Sequence, residues 1–134
     1  MQNIILVHCK KKNYQIDDKG TFSNQSCDYN DYAVNVCDEV IKSNGIGILT
    51  CGSGVGISMM ANKVKGIRCG QVNDYDSTLK AIEIGCNVIS FGARIVGIEI
   101  AKQIIDTFLS NYHKIENNEV EKEISRIKEE NYKK

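Results

Sequence analysis

The chain lacks two residue types and is poor in a third. Its 134 residues include no proline, no tryptophan and only two histidines. Without proline, no helix is interrupted by a proline kink. Two histidines, together with cysteines that never form a Cys-x-x-Cys pair, supply too few ligands for a zinc site. We therefore expect neither a bound metal nor a cofactor.

Neither sign of charge is in excess, and no long apolar run is present. The 17 Lys and Arg residues balance 17 Asp and Glu residues. This balance excludes the basic field typical of proteins that bind nucleic acid or anionic membranes. The apolar runs are too short to cross a bilayer, and the first residues lack the basic segment of a secretory signal. We expect a cytoplasmic protein with no nucleic-acid or membrane partner.

The six cysteines lie at positions 9, 27, 37, 51, 69 and 86. Those at 51, 69 and 86 lie in or beside strand-like runs, which indicates reduced thiols rather than a disulfide framework. A chain of this length can bury a substantial core in a single unit. We therefore predict one domain over residues 1–134.

The most informative stretch is 47–63, which reads GILTCGSGVGISMMANK. The apolar run 45–50 predicts a buried strand with Cys51 at its carboxyl end, and the segment 52–56 predicts a glycine-rich turn before a helix. Such a turn points unpaired backbone N–H groups at one spot, where they attract anions and favour a thiolate. The alternative is that Cys51 is only a small buried hydrophobic residue.

Two common nucleotide-binding loops are excluded at this turn. No Gly-Lys-Ser/Thr follows it, so it is not the P-loop of nucleoside triphosphatases. The Gly-x-Gly-x-x-Gly spacing of dinucleotide-binding proteins is also absent, because the third glycine, Gly56, comes one residue early. The loop therefore requires a different interpretation.

Alternating strand and helix patterns along the chain predict an α/β fold with a doubly wound, mostly parallel sheet. Strands are expected at 4–7, 45–50, 66–70 and 87–91, an apolar patch at 14–16, and helices at 31–41, 76–84 and 95–109. The residues between 7 and 14 are too few for the crossover that parallel neighbours need. The first element must therefore pair antiparallel, sit apart or fray.

The charged C-terminal segment 115–134 predicts a helical extension. Val120, Ile124 and Ile127 form one narrow apolar stripe on it. Such a stripe packs on a neighbouring subunit or belongs to a loosely held end, and we favour the neighbouring subunit.

Four segments resemble one known family. They are Asp28–Ala33 (DYNDYA), Gly47–Lys63, Gly66–Arg68 (GIR) and Asn87–Arg94 (NVISFGAR). The family comprises ribose-5-phosphate isomerase B and the related galactose-6-phosphate isomerase subunits. The resemblance implies a three-layer α-β-α, Rossmann-like domain of about five strands that forms a homodimer. This chain lacks the family's first helix, in the short gap after residue 7.

The resemblance also implies roles for individual residues. Cys51 matches the base that moves a proton of the sugar. Arg94 matches an arginine that holds the substrate phosphate, and the alternative is an ordinary surface arginine. Ser53 either binds Cys51 or a sugar hydroxyl, or caps the following helix. The expected donors to the developing oxyanion are the backbone amides of Gly52, Gly54, Val55 and Gly56.

Three family positions differ in this chain. Glu83 occupies the place of the ring-opening histidine, and a carboxyl group can act as an acid or base if its pKa is raised. His8 lies close to where the family has an Asp-His pair. Two arginines that bind phosphate across the family's dimer have no direct match, and Lys122 and Arg126 either replace them or form an ordinary solvated face.

The leading hypothesis is an aldose–ketose isomerase for a phosphorylated sugar, with ribose 5-phosphate and ribulose 5-phosphate as the favoured pair. Cys51 would transfer the proton through an enediolate. The alternative is an impaired sugar-phosphate-binding pseudoenzyme or a subunit of a hetero-oligomeric isomerase. An unrelated thiol enzyme is the weakest hypothesis, because no histidine is placed to activate the thiol.

Overall fold

A computed structural model gives the structure, and it describes residues 16, 29–112, 122–123 and 125–126. Helices and strands alternate through the main described range. In chain order they are α1 (Tyr29–Ser43), β1 (Gly47–Cys51), α2 (Val55–Ala61), β2 (Cys69–Gln71), α3 (Tyr75–Glu83), β3 (Val88–Gly92) and α4 (Ile98–Asn111).

The three described strands form one parallel sheet in the order β1-β3-β2. Cys51 pairs with Gly92, and Gln71 pairs with Ser90, so all three strands end at the same edge. Every residue of β3 is buried, as expected for a central parallel strand covered on both faces. The predicted α/β fold with a parallel sheet is confirmed.

Two apolar clusters fill the spaces between the sheet and the helices on its two faces. One cluster joins α1 and α2 to the sheet through residues such as Cys37, Leu49 and Ile57. The other joins α3 and α4 to the opposite face through residues such as Ile89 and Phe108. Alternation along β3 sends neighbouring side chains to opposite faces. The described part therefore has the expected helix–sheet–helix layering.

The predicted element boundaries shift by a few residues. Helix α4 begins at Ile98 rather than at 95, and Ile95 is 61% exposed in the turn after β3, so the predicted start of this helix was wrong. Helix α3 begins one residue early because Asp74 caps it, with its carboxylate accepting the Ser77 N–H at 2.8 Å.

Several sequence predictions fall outside the described residues. The strand at 4–7, His8 and most of the segment 115–134 lie there, and Ile16 is exposed and belongs to no helix or strand. The count of about five strands and the missing first helix therefore stay predictions. In the part that the structure describes, no helix combines the length and apolarity needed to cross a bilayer.

Candidate active site

Cys51 and its loop lie at the edge of the sheet where the three strands end. The side chain of Cys51 is half-buried, and its Sγ accepts a hydrogen bond from the backbone N–H of Gly54 at 3.2 Å. A donated N–H favours the thiolate over the thiol, because it stabilises the charged form. The sequence prediction of a loop amide beside this sulfur agrees with the geometry.

Two glycines allow the loop to lie directly on the end of β3. Gly54 has φ +80°, a left-handed conformation that favours glycine, and a Cβ there would come within 2.7 Å of the Phe91 carbonyl carbon. A Cβ on Gly92 would come within 2.5 Å of the Ser53 carbonyl carbon. Backbone therefore packs on backbone, and this close contact restricts the position of the loop.

The four predicted oxyanion donors do not form one equivalent set. The Gly54 N–H is directed at Cys51, and the Val55 N–H donates to Ser53 Oγ at 3.3 Å. The N–H groups of Gly52 and Gly56 make no hydrogen bond with the described residues outside the regular helices and strands. Helix α2 has only seven residues, so its dipole is small and the loop amides are the stronger candidates for contact with an anion.

Arg94 lies beside the loop, in the turn that follows β3. Its backbone N–H donates to the Gly52 carbonyl at 3.0 Å. A Cβ on Gly52 would lie 3.6 Å from both Cδ and Nη1 of Arg94, so the guanidinium lies against this glycine. Its side chain is exposed, and within the described ranges no carboxylate forms a salt bridge with it. The cation is thus available to a ligand bound at the loop.

The hydroxyl of Ser53 is exposed and accepts the N–H of the first residue of α2. This contact supports the capping alternative for Ser53, although an exposed hydroxyl can also reach a ligand. The N-cap residue itself, Gly54, has no side chain to satisfy the helix. Ser53 therefore takes part in shaping the loop.

Glu83 is not brought to Cys51 within one chain. It ends α3, which runs back from the end of β2 to the start of β3, so Glu83 lies at the opposite edge of the sheet. The length of β3 alone separates the two edges by about 13 Å. The Glu83 carboxylate is exposed and pairs with Lys80 at 3.5 Å.

The remaining basic candidates lie apart from the loop or outside the description. His8 is outside the described residues. Lys122 and Arg126 are both helical and exposed, and Arg126 pairs with Glu123 at 3.0 Å. Their proposed role in binding phosphate stays a prediction.

Polar side chains at the other edge of the sheet stabilise the backbone. The carboxamide of Asn87 accepts the Arg68 N–H at 2.9 Å and donates to the Gly66 carbonyl at 3.0 Å. Asn62 bonds both backbone polar groups of Cys69, at 2.7 and 3.0 Å. Asn62 lies at the edge opposite Cys51, because the short helix α2 carries the chain there.

Sequence reasoning missed two residues that contact the loop. Gln71 Nε2 donates to the Ser53 carbonyl at 3.2 Å, and Ser90 Oγ donates to the Gly54 carbonyl at 3.1 Å. One signal was available for Gln71, because it is a polar residue at the carboxyl end of a strand. The serine inside the apolar run of β3 was a second signal, since a buried hydroxyl requires a partner.

The other described cysteines are free thiols in a different setting. Burial raises the pKa of Cys37 to about 11 and that of Cys69 to about 12. Burial also raises the pKa of Cys86, against the opposing effect of the Arg68 charge. These three thiols are therefore protonated at neutral pH. In the described ranges, no cluster of three acidic, histidine or cysteine side chains could hold a metal ion.

Sequence comparisons give a consistent set of relatives. Residues 1–127 match the family model described as Ribose/Galactose Isomerase. The chain is 40% identical over 112 residues to Ribose-5-phosphate isomerase B of Escherichia coli (strain K12), covering 81% of this chain and 74% of that protein. It is 37% identical over 124 residues to Galactose-6-phosphate isomerase subunit LacB of Clostridium acetobutylicum, covering 90% and 72%.

Solved structures give the same result. Ribose-5-Phosphate Isomerase B of Clostridium thermocellum superposes with a TM-score of 0.84 at 32% identity, covering 96% of this chain and 91% of that one. Ribose-5-phosphate Isomerase B of Mycoplasma genitalium, solved with bound Ribulose-5-phosphate, superposes with a TM-score of 0.81 at 31% identity, covering 98% and 88%. Both similarities extend over nearly the whole chain.

Proposed function

The chain belongs to the ribose/galactose isomerase family, and from that premise we propose that it interconverts ribulose 5-phosphate and ribose 5-phosphate. The relatives support a sugar-phosphate isomerase, and the Mycoplasma genitalium protein binds ribulose 5-phosphate itself. The observation that carries the proposal is the Cys51 sulfur at the end of β1, with the Gly54 N–H directed at it.

The reaction moves one hydrogen between carbons and one between oxygens. Starting from the ketose, a base removes a proton from C1, and the electron pair forms the C1=C2 bond of an enediolate with the negative charge on O2. The proton returns to C2, while the hydroxyl proton passes from O1 to O2, which leaves the aldehyde at C1. The protein must supply the base and donors for the oxyanion.

Cys51 is the proposed base, acting as its thiolate. The open N–H groups of Gly52 and Gly56 are the proposed donors to the enediolate oxygen, because the other two loop amides already have partners. The Ser53 hydroxyl, exposed beside them, is proposed to bind a sugar hydroxyl. Arg94 would hold the phosphate, since its guanidinium lies against the loop without an acidic partner among the described residues.

A single chain does not place Glu83, the candidate acid or base for ring opening, near Cys51. Glu83 lies at the edge of the sheet opposite Cys51, so it can serve this site only from a second copy of the chain. We accordingly propose a homodimer, with Glu83 of one subunit near Cys51 of the other. We also propose that the protein acts in the cytoplasm and needs no cofactor.

The test is conversion of ribulose 5-phosphate to ribose 5-phosphate by the wild type and by Cys51→Ala. Loss of a general base typically lowers the rate by about 10²–10⁴-fold, and we expect the variant to fall by that range. The control is Cys86→Ala, which removes a thiol that packs on the opposite face of the sheet and should leave turnover intact. Undiminished turnover in Cys51→Ala would contradict the assignment of the base.

A second candidate is a sugar-phosphate-binding subunit without full activity. The location of Glu83 favours it, because a carboxylate paired with Lys80 far from Cys51 supplies no ring-opening acid within one chain. Comparing the two directions of the reaction separates the two candidates, because ribulose 5-phosphate cannot close a ring through its phosphorylated O5, whereas ribose 5-phosphate closes through O4 and must be opened. Turnover of ribulose 5-phosphate but not of ribose 5-phosphate indicates a defect confined to ring opening, whereas binding without any turnover supports the pseudoenzyme.

A further inference from the structure

Two consecutive carbonyl groups of the Cys51 loop are each bonded by a side chain from the sheet. Gln71 Nε2 donates to the Ser53 carbonyl at 3.2 Å, and Ser90 Oγ donates to the Gly54 carbonyl at 3.1 Å. Gln71 and Ser90 are register partners on β2 and β3, so their side chains project from the same face. That face is the one covered by α2, which follows the loop.

The bond from Gln71 acts on the same peptide group that contacts the thiol. The carbonyl of Ser53 and the N–H of Gly54 belong to one planar unit. Gln71 donates to the carbonyl oxygen of this peptide group. The N–H of the same group is directed at Cys51, with 3.2 Å between the Gly54 nitrogen and Sγ. Fixing the oxygen fixes the direction of the hydrogen, and donation to the oxygen also polarises the N–H.

This peptide group needs an external constraint because it precedes a glycine. A flip of the Ser53–Gly54 plane is absorbed mainly by rotation about the Gly54 φ, and glycine tolerates both signs of φ. Gly54 has φ +80° in the observed orientation. A flipped plane would direct the carbonyl oxygen at Cys51 and place a partial negative charge beside the thiolate.

We propose that Gln71 is a positioning residue for Cys51, which holds the Ser53–Gly54 peptide so that its N–H is directed at the sulfur. The inference rests on the proposed function of Cys51 as the base. Gln71 acts through the peptide and need not touch the sugar. Its effect is to keep the Gly54 N–H as a donor to the Cys51 sulfur, so loss of Gln71 should lower the reactivity of this thiol.

Ser90 provides an internal comparison. It bonds the next peptide plane, whose N–H, that of Val55, donates to Ser53 Oγ rather than to the sulfur. Ser90 thus restrains the loop without aiming a donor at Cys51. If loop order alone mattered, Gln71 and Ser90 variants would affect the thiol alike. If the direction of one N–H matters, only Gln71 variants shift its titration substantially.

The test is the pH dependence of iodoacetamide alkylation at Cys51, read by mass spectrometry of the peptide that contains it. In Gln71→Met the side chain keeps its approximate shape but loses the donor. We expect alkylation of Cys51 at pH 7 to slow about threefold, because the sulfur loses a well-directed hydrogen-bond donor. The matched control is Gln103→Met on α4, where the glutamine side chain is exposed and no bond from it to the described residues is seen.

Further variants sharpen the result. Gln71→Glu replaces the donor by a carboxylate that cannot donate to a carbonyl, and alkylation of Cys51 should slow further than in Gln71→Met. Ser90→Ala should slow alkylation less than either Gln71 variant. An unchanged titration in both Gln71 variants, or an equal shift in Ser90→Ala, would overturn the proposal.

The readout also separates this proposal from the proposed function. Alkylation reports on the thiol whether or not the protein turns over a sugar phosphate. An isomerase-inactive wild type with a Gln71-dependent titration would refute the activity and keep the positioning role. An active wild type whose rate and titration are unaffected by Gln71→Met would keep the activity and refute the positioning role. Where turnover is measurable, kcat should fall in Gln71→Met and KM should stay constant.

Discussion

The two edges of the sheet use their polar groups in opposite ways. At the edge where the strands begin, the side chains of Asn62, Arg68 and Asn87 are hydrogen-bonded to backbone groups. At the edge where they end, the N–H groups of Gly52 and Gly56 have no acceptor within the described ranges. At the first edge these side chains bond the backbone, whereas at the second edge two loop N–H groups make no hydrogen bond to a described residue.

This difference shows why a polar residue near a strand end is not by itself a functional signal. Buried and half-buried polar groups need partners, and the side chains of the first edge supply them. In open α/β sheets, ligands bind where the strands end. The same residue types therefore stabilise one edge and leave the other available for binding. Arg68 and Arg94 illustrate this, because the first bonds the Gly85 carbonyl and the second lies exposed against the loop.

The cysteine thiols also differ between the two edges of the sheet. Cys69 begins β2, where burial raises its pKa to about 12 and keeps it protonated. Cys51 ends β1, where its sulfur accepts an amide N–H. Position along the strand thus separates a packing cysteine from a candidate base.

The largest effect is expected from a substitution that adds a side chain where the loop backbone packs against β3. In Gly92→Ala the new Cβ would lie 2.5 Å from the Ser53 carbonyl carbon, so the loop must move. We expect the free energy of unfolding to fall by about 3 kcal/mol, and isomerase turnover to be lost as the amide leaves Cys51. Chemical denaturation and the turnover assay measure the two losses.

The control for this substitution is Gly97→Ala. No atom lies within 4 Å of a Cβ at Gly97, and its φ of −69° suits alanine. Stability and turnover should both stay near wild type. If Gly92→Ala were equally harmless, the close backbone packing would not be what holds the loop.

The second prediction removes the network at the opposite edge. Asn87→Ala leaves the Arg68 N–H and the Gly66 carbonyl without their partner. We expect a loss of about 2 kcal/mol in the free energy of unfolding, while the pH dependence of Cys51 alkylation stays unchanged. Asn87 is 8% exposed, so water replaces these bonds poorly.

A matched asparagine serves as the control. Asn111→Ala alters an exposed residue at the end of α4 whose carboxamide bonds a carbonyl one turn earlier, and it should cost clearly less stability. A strong shift of Cys51 reactivity in Asn87→Ala would contradict the division between the two edges.

The third prediction concerns phosphate binding. Arg94→Gln removes the cation beside the loop, and we expect KM for ribulose 5-phosphate to rise about tenfold with little change in stability. Lys63→Gln is the control, because this exposed cation follows α2 near the other edge. Equal increases in KM for the two variants would indicate a general loss of positive charge rather than a phosphate site at the loop.

The smallest effect is expected at the start of α3. Hydrogen bonds from Ser77 hold the pKa of Asp74 below its ordinary value of 3.8. The carboxylate therefore contributes stability that is fully present above the unfolded pKa and is lost as pH falls through the folded pKa. Asp74→Asn should remove this part of the acid sensitivity, as measured by denaturation between about pH 5 and pH 2.

The neighbouring Asp76→Asn is the control, since Asp76 lies in the same helical turn but does not cap it. Its acid sensitivity should resemble that of the wild type. An equal effect of the two substitutions would assign the pH dependence to net charge rather than to the cap.

Local sequence patterns predicted most of the fold and part of the site. The run Gly47–Cys51, the glycines after it and the periodic helices are short-range signals, and the elements they predict are present with small shifts in their ends. The position of Arg94 beside the loop also followed from its place directly after a strand. These predictions succeeded because each depends on residues close together in the chain.

The locations of Glu83, Asn62 and Gln71 could not be obtained in that way. Whether a residue lies at the edge of Cys51 depends on the direction of its helix and on the order β1-β3-β2. Helix α2 carries Asn62 away from the loop, α3 carries Glu83 away from it, and the register of β2 brings Gln71 to it. No periodicity along the chain encodes these distances.

The sequence by itself determined the family, the α/β class and the cysteine at the end of a strand, since these follow from local composition and motif. Only the tertiary structure decided which N–H groups are open, which carbonyls are held and which polar residues stabilise the far edge. The physical reason is that a hydrogen bond depends on distance and direction in space. Gln71 and Ser53 are separated by 18 positions in the chain but by 3.2 Å across the sheet.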